Sequence, residues 1–366
     1  MIRVLHIVPN MQAGGLETLI MNLYRNIDRT KVQFDFLVHY QGRFFYDDEI
    51  EKLGGKIYRL SVRDDNNFPK YIRDLNNFFR EHTEYKVVHG HMESLGRFYF
   101  KAAKKYGVPV RIAHSHNSAT EPTLKGKIKG ILLKGYVKYA NVFFACSDLA
   151  GKFMFGDRDF VVFKNAIEPK KFEYSDAVRA EKRNELELDG KYVIGHIGRF
   201  CTQKNHKFLI DVFAEVVKEN PDAVLLLIGS GELEEEVKAY AAQLRISEQV
   251  RFLGNRTDVN ALYQAMDVFV FPSIFEGLGI VAIEAQAAGL MTICSDVVPT
   301  EANISDYFVS LSLNQWAQEW AKEINKHRLG YERNHIGQIV ADAGYDIHTS
   351  AKWLQEFYTK QHQENV

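Results

Sequence analysis

Two glutamates eight residues apart, Glu276 and Glu284, flank a glycine-rich turn and could accept hydrogen bonds from the hydroxyl groups of a ligand. In this turn Gly277 and Gly279 come directly before a predicted helix of small residues, about 280–288. The N–H groups at the start of a helix attract anions. A carboxylate beside an anion site needs a second reason to be there, and sugar hydroxyls supply one. The stretch therefore predicts a site for a ligand that carries both phosphate and hydroxyl groups.

The segments on either side of this turn are apolar and predict buried strands at 268–271 and 291–294. With the helix between them, ended by Gly289 as a cap, they form one βαβ unit of a parallel sheet that is covered on both faces. The alternative is that Glu276 and Glu284 are a solvated loop acid and a helix-surface acid, because two glutamates at this spacing mean little alone.

Two cations stand in another loop of the same half of the chain. Arg199 and Lys204 belong to the string GRFCTQKN, between a predicted strand at 192–197 and a predicted helix at 207–218. Arginine offers a planar fork to a phosphate group, and lysine offers a point charge. Together with the helix N-terminus they could neutralise a diphosphate. By themselves they are weak evidence, because any surface loop can hold one Arg and one Lys.

These strings resemble the motifs of the retaining glycosyltransferases of family 4, which have the GT-B fold. The matching strings are the E-x7-E pair, the G-R-x4-K-N loop at 198–205, the G-x-G turn at 229–231, the GNRTD loop at 254–258 and the G-G-x-E loop at 14–17. The likeness spans nearly the whole chain and is strongest over 195–296. The sequence NAIE at 165–168 departs from the family's N-G-I-D hinge at two positions.

The resemblance implies a role for each matched residue. Glu276 is expected against the donor sugar, Glu284 on the ribose hydroxyls, and His114 near the reacting carbon. Arg199 and Lys204 are expected to neutralise the departing diphosphate. The other residues expected to bind substrate are Gly14, Gly15, His116, Asn205, Gly229, Gly254, Arg256, Gly277, Leu278, Gly279 and Ile280. His116 belongs to this set only as a sequence neighbour of His114.

The order of predicted elements indicates the fold class and the domains. Strands and helices alternate through all 366 residues, a length that suits two domains. We therefore expect an α/β protein, and the resemblance implies two doubly wound, Rossmann-like domains that face across a cleft. The expected acceptor-side domain is 1–168, joined by a C-terminal helix at about 346–366. The expected nucleotide-sugar domain is 169–345.

Four histidines, His89, His91, His114 and His116, raise the question of a metal site. Two rings separated by one residue on a strand share a face, as zinc ligands do. No cysteine accompanies them and the nearest acid is Glu93, so the sequence favours no metal, with the first two histidines structural. A D-x-D triplet at 157–159 lies in a charged turn and is interpreted as coincidental. The resemblance implies a metal-independent enzyme without a bound cofactor.

The composition of the chain argues against a nucleic-acid binder, a secreted protein and a membrane-spanning protein. With 46 basic and 47 acidic residues and a net charge of −1, the chain does not have the charge of a nucleic-acid binder. Its 3 cysteines include no C-x-x-C, which favours reduced thiols in the cytoplasm. The N-terminus does not match a signal peptide, and no apolar run approaches the length of a membrane span.

The segment 124–139 has two interpretations. Its lysines at 125, 127, 129, 134 and 138 alternate with apolar residues and could touch anionic lipid from the inner face of the plasma membrane. It could equally be a surface helix with a solvated lysine face, and its glycines weaken helix formation.

The resemblance implies transfer of a sugar, with retention, from a nucleotide-diphosphate donor to a hydroxyl of a growing glycan. UDP is the expected nucleotide. The acceptor is expected to be a glycan or a lipid-linked glycan, as in capsular or exopolysaccharide assembly. Two alternatives stay open: another enzyme of the same fold, such as a nucleotide-sugar epimerase or a phosphorylase, and a nucleotide- or sugar-binding module without turnover.

Overall fold

The computed structural model describes residues 1–12, 14–62, 67–118, 133 and 136–365. The chain divides into two compact units, which we call unit 1 (Met1–Ile167 with Asp346–Val366) and unit 2 (Glu168–Tyr345). Each unit contains one parallel sheet between helices, so the predicted α/β class of two Rossmann-like domains is confirmed. The unit division falls between Ile167 and Glu168, one residue from the expected boundary.

Unit 1 contains a seven-stranded parallel sheet in the order β3-β2-β1-β4-β5-β6-β7. Its strands are β1 (Ile2–Ile7), β2 (Val32–Val38), β3 (Ile57–Arg59), β4 (Val87–Gly90), β5 (Val110–Ser115), β6 (Val142–Ala145) and β7 (Val161–Val162). Its described helices are Gly15–Asn26, Asp47–Lys52, Phe68–Glu81, Gly96–Lys105, Tyr136–Tyr139, Asp148–Phe155 and Ile347–Asn365.

The last helix of the chain completes the core of unit 1. Ile347–Asn365 packs against the helix Gly15–Asn26 and buries Leu354 and Tyr358 completely. The strands beneath are buried on both faces, as in a sheet covered on both sides. The strand order reverses between β1 and β4, and ligands of such sheets bind at the carboxyl ends of the strands near this point.

Unit 2 repeats this architecture with six parallel strands in the order β10-β9-β8-β11-β12-β13. The strands are β8 (Tyr192–Ile197), β9 (Ala223–Ile228), β10 (Val250–Phe252), β11 (Val268–Phe271), β12 (Met291–Ser295) and β13 (Phe308–Leu311). The helices are Pro169–Phe172, Asp176–Glu185, His206–Glu219, Glu234–Gln243, Val259–Ala265, Ile280–Ala287, Ala317–Asn325 and Gly337–Asp342.

The βαβ unit around β11 and β12 is present as predicted. The helix Ile280–Ala287 begins directly after Gly279 and ends in a Schellman motif. In that motif the N–H of Gly289 donates to the carbonyl of Gln286 at 2.7 Å, and the N–H of Leu290 donates to the carbonyl of Ala285 at 3.0 Å. Gly289 has a φ of +63°, a conformation that explains the glycine at this position.

Some predicted bounds were wrong. The segment 160–163 predicts a strand, but only the pair Val161–Val162 at the edge of the sheet is one. The charged segment at about 176–188 predicts a helix, and this helix ends at Glu185. The segment 110–113 predicts the strand that leads to His114, but β5 continues to Ser115 because it is paired with β6 from Ile112 to Ser115. Most of the lysine-rich segment 124–139 lies outside the described residues, so its two interpretations stay predictions. Among the residues that are described, no helix has the length and apolar character needed to span a bilayer.

Candidate active site

Lys204 and Glu276 form an ion pair at the carboxyl edge of the unit 2 sheet. The ammonium Nζ of Lys204 donates to Oε1 of Glu276 at 2.6 Å, and their side chains are only 17% and 7% exposed. The ammonium also lies 4.6 Å from the centroid of the Phe271 ring. The two charges expected at a sugar-diphosphate site are therefore next to each other in a largely desolvated position, where electrostatic interactions are strong.

Hydrogen bonds between two loops hold this pair in place. The backbone N–H of Ile274 donates to the carbonyl of Gln203 at 2.8 Å. The side-chain amide of Gln203 donates to the carbonyl of Phe275 at 2.9 Å. On the other side, the hydroxyl of Ser295 donates to the carbonyl of Ser273 at 2.6 Å. The loop of Lys204 and the loop of Glu276 are thus fastened to each other and to the end of β12.

The glycine loops after β8, β9 and β10 meet at the same edge. The N–H of Gly229 donates to the carbonyl of Gly254 at 2.9 Å, and the N–H of Gly198 donates to Ile228 at 2.9 Å. Gly229 has a φ of +132°, and a Cβ there would lie 2.2 Å from the carbonyl oxygen of Gly198. Glycine is required at position 229 because the neighbouring backbone occupies the space of a side chain.

Arg199 pairs with a different carboxylate from the one that pairs with Lys204. Its guanidinium donates to Oε2 of Glu232 at 2.9 Å, and the two side chains are 71% and 55% exposed. Such exposed pairs contribute little stability, about 0–1 kcal/mol. The structure therefore gives the two cations of the predicted clamp different carboxylate partners. A diphosphate would need to take Arg199 from Glu232, and that exchange would cost little.

The glycine turn after Glu276 leads directly into the helix Ile280–Ala287. Gly279 has a φ of +83° at the N-cap, and Leu278 beside it is 2% exposed. Among the residues that the structure describes, no side chain caps this helix start. The first N–H groups of this helix can therefore donate hydrogen bonds to a phosphate oxygen.

Glu284 lies one turn inside that helix and is half-buried. Its Oε2 accepts a hydrogen bond from the hydroxyl of Tyr263 at 3.0 Å. Burial raises the pKa of Glu284 to about 7, and the Tyr263 hydrogen bond opposes this shift. Glu284 is thus not an ordinary solvated surface acid. No sequence pattern predicts the contact with Tyr263, which reaches Glu284 from the helix Val259–Ala265.

Two other predicted residues have defined local roles. Asn205 adopts a left-handed conformation with a φ of +56° at the N-cap of the helix His206–Glu219, a conformation that asparagine tolerates better than most residues. Arg256 donates to Asp258 at 2.7 Å and to Glu185 at 3.2 Å, so its side chain fastens the GNRTD loop to the helix Asp176–Glu185. Hydrogen bonds from Arg256 lower the pKa of the Asp258 carboxyl.

In unit 1 the G-G-x-E loop starts the helix Gly15–Asn26. Gly14 is its N-cap, and a Cβ on Gly14 would lie 2.3 Å from Oε2 of Glu17. The glutamate therefore folds back over the glycine, at the helix end where a carboxylate is favourable. This close contact explains why the motif combines a glycine at position 14 with a glutamate at position 17.

His114 lies at the end of β5 within a group of buried histidines. Its backbone N–H donates to the hydroxyl of Tyr136 at 3.0 Å, and its Nδ1 is 3.1 Å from Nε2 of His89. His116 contacts His91 through ring nitrogens 2.9 Å apart. His6 of β1 joins this group through His91. A single histidine in an apolar strand forms no pattern, so its place in this group could not be predicted from the sequence.

Comparison with known proteins places these loops in a family. The family model described as Glycosyltransferase Family 4 matches residues 13–159, and the one described as Glycosyl transferases group 1 matches residues 178–335. The putative glycosyltransferase EpsF of Bacillus subtilis is 34% identical over 368 aligned residues, which cover 97% of this chain and 96% of EpsF.

A second relative and a solved structure extend the comparison. The Escherichia coli UDP-Gal:alpha-D-GlcNAc-diphosphoundecaprenol alpha-1,3-galactosyltransferase is 27% identical over 58% of this chain and 58% of its own length. The structure of HepE from Anabaena in complex with UDP-glucose superposes with a TM-score of 0.82 at 17% identity, covering 98% of this chain and all of HepE.

The fold is therefore that of the GT-B glycosyltransferases. Because two family models and a full-length relative agree, the chain belongs to glycosyltransferase family 4, and the predicted resemblance is confirmed.

Proposed function

We propose that this protein is a retaining glycosyltransferase that moves a sugar from a UDP-sugar to a hydroxyl of a glycan or lipid-linked glycan during surface polysaccharide synthesis. The UDP-glucose bound to HepE supports the donor class. The diphosphoundecaprenol acceptor in the name of the E. coli relative supports a lipid-linked acceptor. Such an acceptor suits a cytoplasmic enzyme that works at the inner face of the plasma membrane.

The observation that carries this proposal is the largely buried ion pair of Lys204 with Glu276, beside a helix start that no described side chain caps. When a donor binds, Lys204 and the N–H groups after Gly279 meet the diphosphate, and Glu276 lies against the transferred sugar. Negative charge grows on the diphosphate as the glycosidic bond breaks, and positive charge grows on the sugar carbon. A pre-arranged cation and carboxylate stabilise both charges in the transition state.

A panel of nucleotide sugars tests the proposal. We expect one UDP-sugar to raise the unfolding temperature of the protein and to be slowly hydrolysed, with release of UDP, in the absence of acceptor. Variant Lys204→Ala should lose the hydrolysis. If no nucleotide sugar is bound or turned over by correctly folded protein, the proposed function is wrong.

We propose that transfer needs no divalent cation. Lys204, Arg199 and the helix N-termini supply the positive charge that a cation supplies elsewhere. UDP release should therefore be unchanged in EDTA and should not increase when Mg²⁺ or Mn²⁺ is added. Activity that EDTA abolishes and Mn²⁺ restores would contradict this, and the first candidates for ligands would then be the carboxylates Asp157 and Asp159 and the two histidine pairs at 89/91 and 114/116.

Glu284 gives the donor affinity a pH dependence. The ionised carboxylate of Glu284 can accept hydrogen bonds from ribose hydroxyls at both of its oxygens. Protonation turns one of these oxygens into a donor, so the hydrogen bonds to the ribose are weakened. With a pKa of about 7, Glu284 takes up a proton as the pH falls below neutrality. The affinity for a UDP-sugar should then decrease, approaching about tenfold per pH unit well below the pKa.

Calorimetric titration with an intact UDP-sugar between pH 6 and 8 measures this effect, since the diphosphate of an intact UDP-sugar does not titrate in that range. Variant Glu284→Gln should bind more weakly at pH 8 and lose the pH dependence. If wild type and Glu284→Gln showed the same pH profile, Glu284 would not hold the ribose.

A further inference from the structure

Five histidines of three neighbouring strands form one cluster in unit 1. The members are His6 of β1, His89 and His91 at the end of β4, and His114 and His116 at the end of β5. Burial lowers the pKa of every one, so their rings are neutral at neutral pH. A neutral imidazole carries one proton, so one ring nitrogen is a donor and the other is an acceptor. The hydrogen bonds around a ring decide which nitrogen carries the proton.

A line of hydrogen bonds runs from the last helix of the chain into this cluster. The hydroxyl of Tyr358 lies 2.6 Å from Nδ1 of His89, and Nε2 of His89 lies 3.1 Å from Nδ1 of His114. All three side chains belong to residues that are at most 1% exposed. The line ends at Nε2 of His114, which is buried and has no hydrogen-bond partner among the residues that the structure describes.

The phenol of Tyr358 decides the direction of this line. Burial raises the pKa of Tyr358, so its hydroxyl keeps its proton at neutral pH. Within the described part of the chain, the hydrogen-bond partner of this hydroxyl is Nδ1 of His89. If Tyr358 donates to that nitrogen, His89 carries its own proton on Nε2 and donates it to Nδ1 of His114. His114 must then carry its proton on Nε2.

The reverse direction leaves more groups without a partner. His114 would donate from Nδ1 to His89, and His89 would donate from Nδ1 to the oxygen of Tyr358. The phenol proton would then lie in the hydrophobic core of unit 1 without a described acceptor, and Nε2 of His114 would be an unpaired acceptor. Donation by Tyr358 leaves only the N–H of His114 unpaired. Because a buried donor without a partner is costly, donation by Tyr358 should predominate by about fivefold or more.

We propose that Tyr358 and His89 are positioning residues, which hold the proton of His114 on Nε2 and so make this nitrogen a hydrogen-bond donor to an oxygen of the transferred sugar. The sugar contact rests on the proposed function and on the place of His114 that the family resemblance implies, whereas the position of the proton does not. The ring centroid of His116 lies 4.1 Å from that of His114, and His116 is partly exposed. Rotation of the His116 side chain gives a sugar oxygen access to Nε2 of His114.

The position of the proton can be measured in wild-type protein. In protein with ¹⁵N-labelled histidine, long-range ¹H–¹⁵N NMR distinguishes a protonated ring nitrogen from an unprotonated one, and variant His114→Gln serves to assign the signals of His114. At neutral pH we expect both His89 and His114 to be neutral and to carry the proton on Nε2. A proton on Nδ1 of His114 would overturn the proposal. Neutron diffraction from wild-type crystals locates the same proton without any variant.

Variant Tyr358→Phe removes the hydroxyl and keeps the ring. Both directions of the line then leave equal numbers of unpaired groups, so His114 should change from one tautomer to a mixture of two in about equal amounts. Tyr71→Phe is the matched control, because the hydroxyl of Tyr71 lies 2.7 Å from Nε2 of another buried histidine of unit 1, His39. The control should leave the tautomer of His114 unchanged. An unchanged tautomer in folded Tyr358→Phe would show that Tyr358 does not position His114.

The sugar contact is tested by adding ligands to wild-type protein. The intact UDP-sugar that the nucleotide-sugar panel selects should shift the Nε2 signal of His114, whereas UDP, which lacks the sugar, should leave this signal in place. Equal Nε2 signals in the two complexes would overturn the sugar contact. If no nucleotide sugar binds, the proposed function is wrong and the sugar contact falls with it, but the proton of His114 is still located in the free protein.

Discussion

Lys204→Ala is expected to lower kcat on the order of 10²-fold, as the loss of one pre-arranged charge at a developing anion does in other enzymes. Lys204 is the less exposed of the two cations, and its ammonium is fixed by Glu276 at 2.6 Å and by the ring of Phe271. Its charge is therefore in place before the reaction starts. The measurement is the rate of UDP release at saturating donor.

Lys207→Ala is the matched control. Lys207 lies three residues along the same segment, is exposed, and has its ammonium 4.9 Å from the Tyr240 ring centroid. Its removal changes the net charge equally and should leave kcat unchanged. Because Lys204→Ala also removes the ion-pair partner of a buried glutamate, a loss of stability of up to about 3–5 kcal/mol must be measured separately. Near wild-type kcat in folded Lys204→Ala would remove Lys204 from the catalytic machinery.

Glu276→Gln is expected to lower kcat by about 10²-fold or more while the KM for the donor changes little. The substitution keeps the shape of the side chain and an oxygen that can accept from Lys204, but it removes the negative charge. That charge matters most when the sugar carbon becomes positive, so its loss is seen in the transition state and not in the bound ground state.

Glu284→Gln should have the opposite effect on the two kinetic constants. It should raise the KM for the donor and change kcat less, because the ribose hydroxyls do not change during the reaction. Glu248→Gln, at an exposed position of the same unit, should change neither constant. If Glu284→Gln left UDP affinity untouched while Glu276→Gln abolished it, the two carboxylates would have been assigned the wrong way round.

The sequence was sufficient to predict the fold and to locate the loops that carry the charged residues of the site. Apolar strands separated by glycine-ended turns predict a parallel sheet, and the carboxyl ends of parallel strands share one edge. For that reason the loops of Lys204 and Glu276, which are 72 residues apart, could be expected near each other. The tight turns at this edge could be predicted from their glycines as well, because positions such as Gly229 leave no space for a side chain.

The partners of these charges could not be predicted. Glu232 pairs with Arg199, and Tyr263 binds Glu284, through contacts between separate elements that no local pattern encodes. The histidine cluster shows the same limit. The two H-x-H strings were visible in the sequence, but the third strand that contributes His6 became apparent only from the β1–β4 register, which pairs His6 with His89.

The most direct test of retaining transfer from a UDP-sugar is proton NMR of the product formed in the presence of EDTA. With an α-linked UDP-sugar and its acceptor, the first product should carry the α configuration at the transferred carbon, and Lys204→Ala should form that product on the order of 10²-fold more slowly. A β-linked first product would contradict retention. No product from any nucleotide sugar and acceptor, with folded wild-type protein, would contradict the transferase itself.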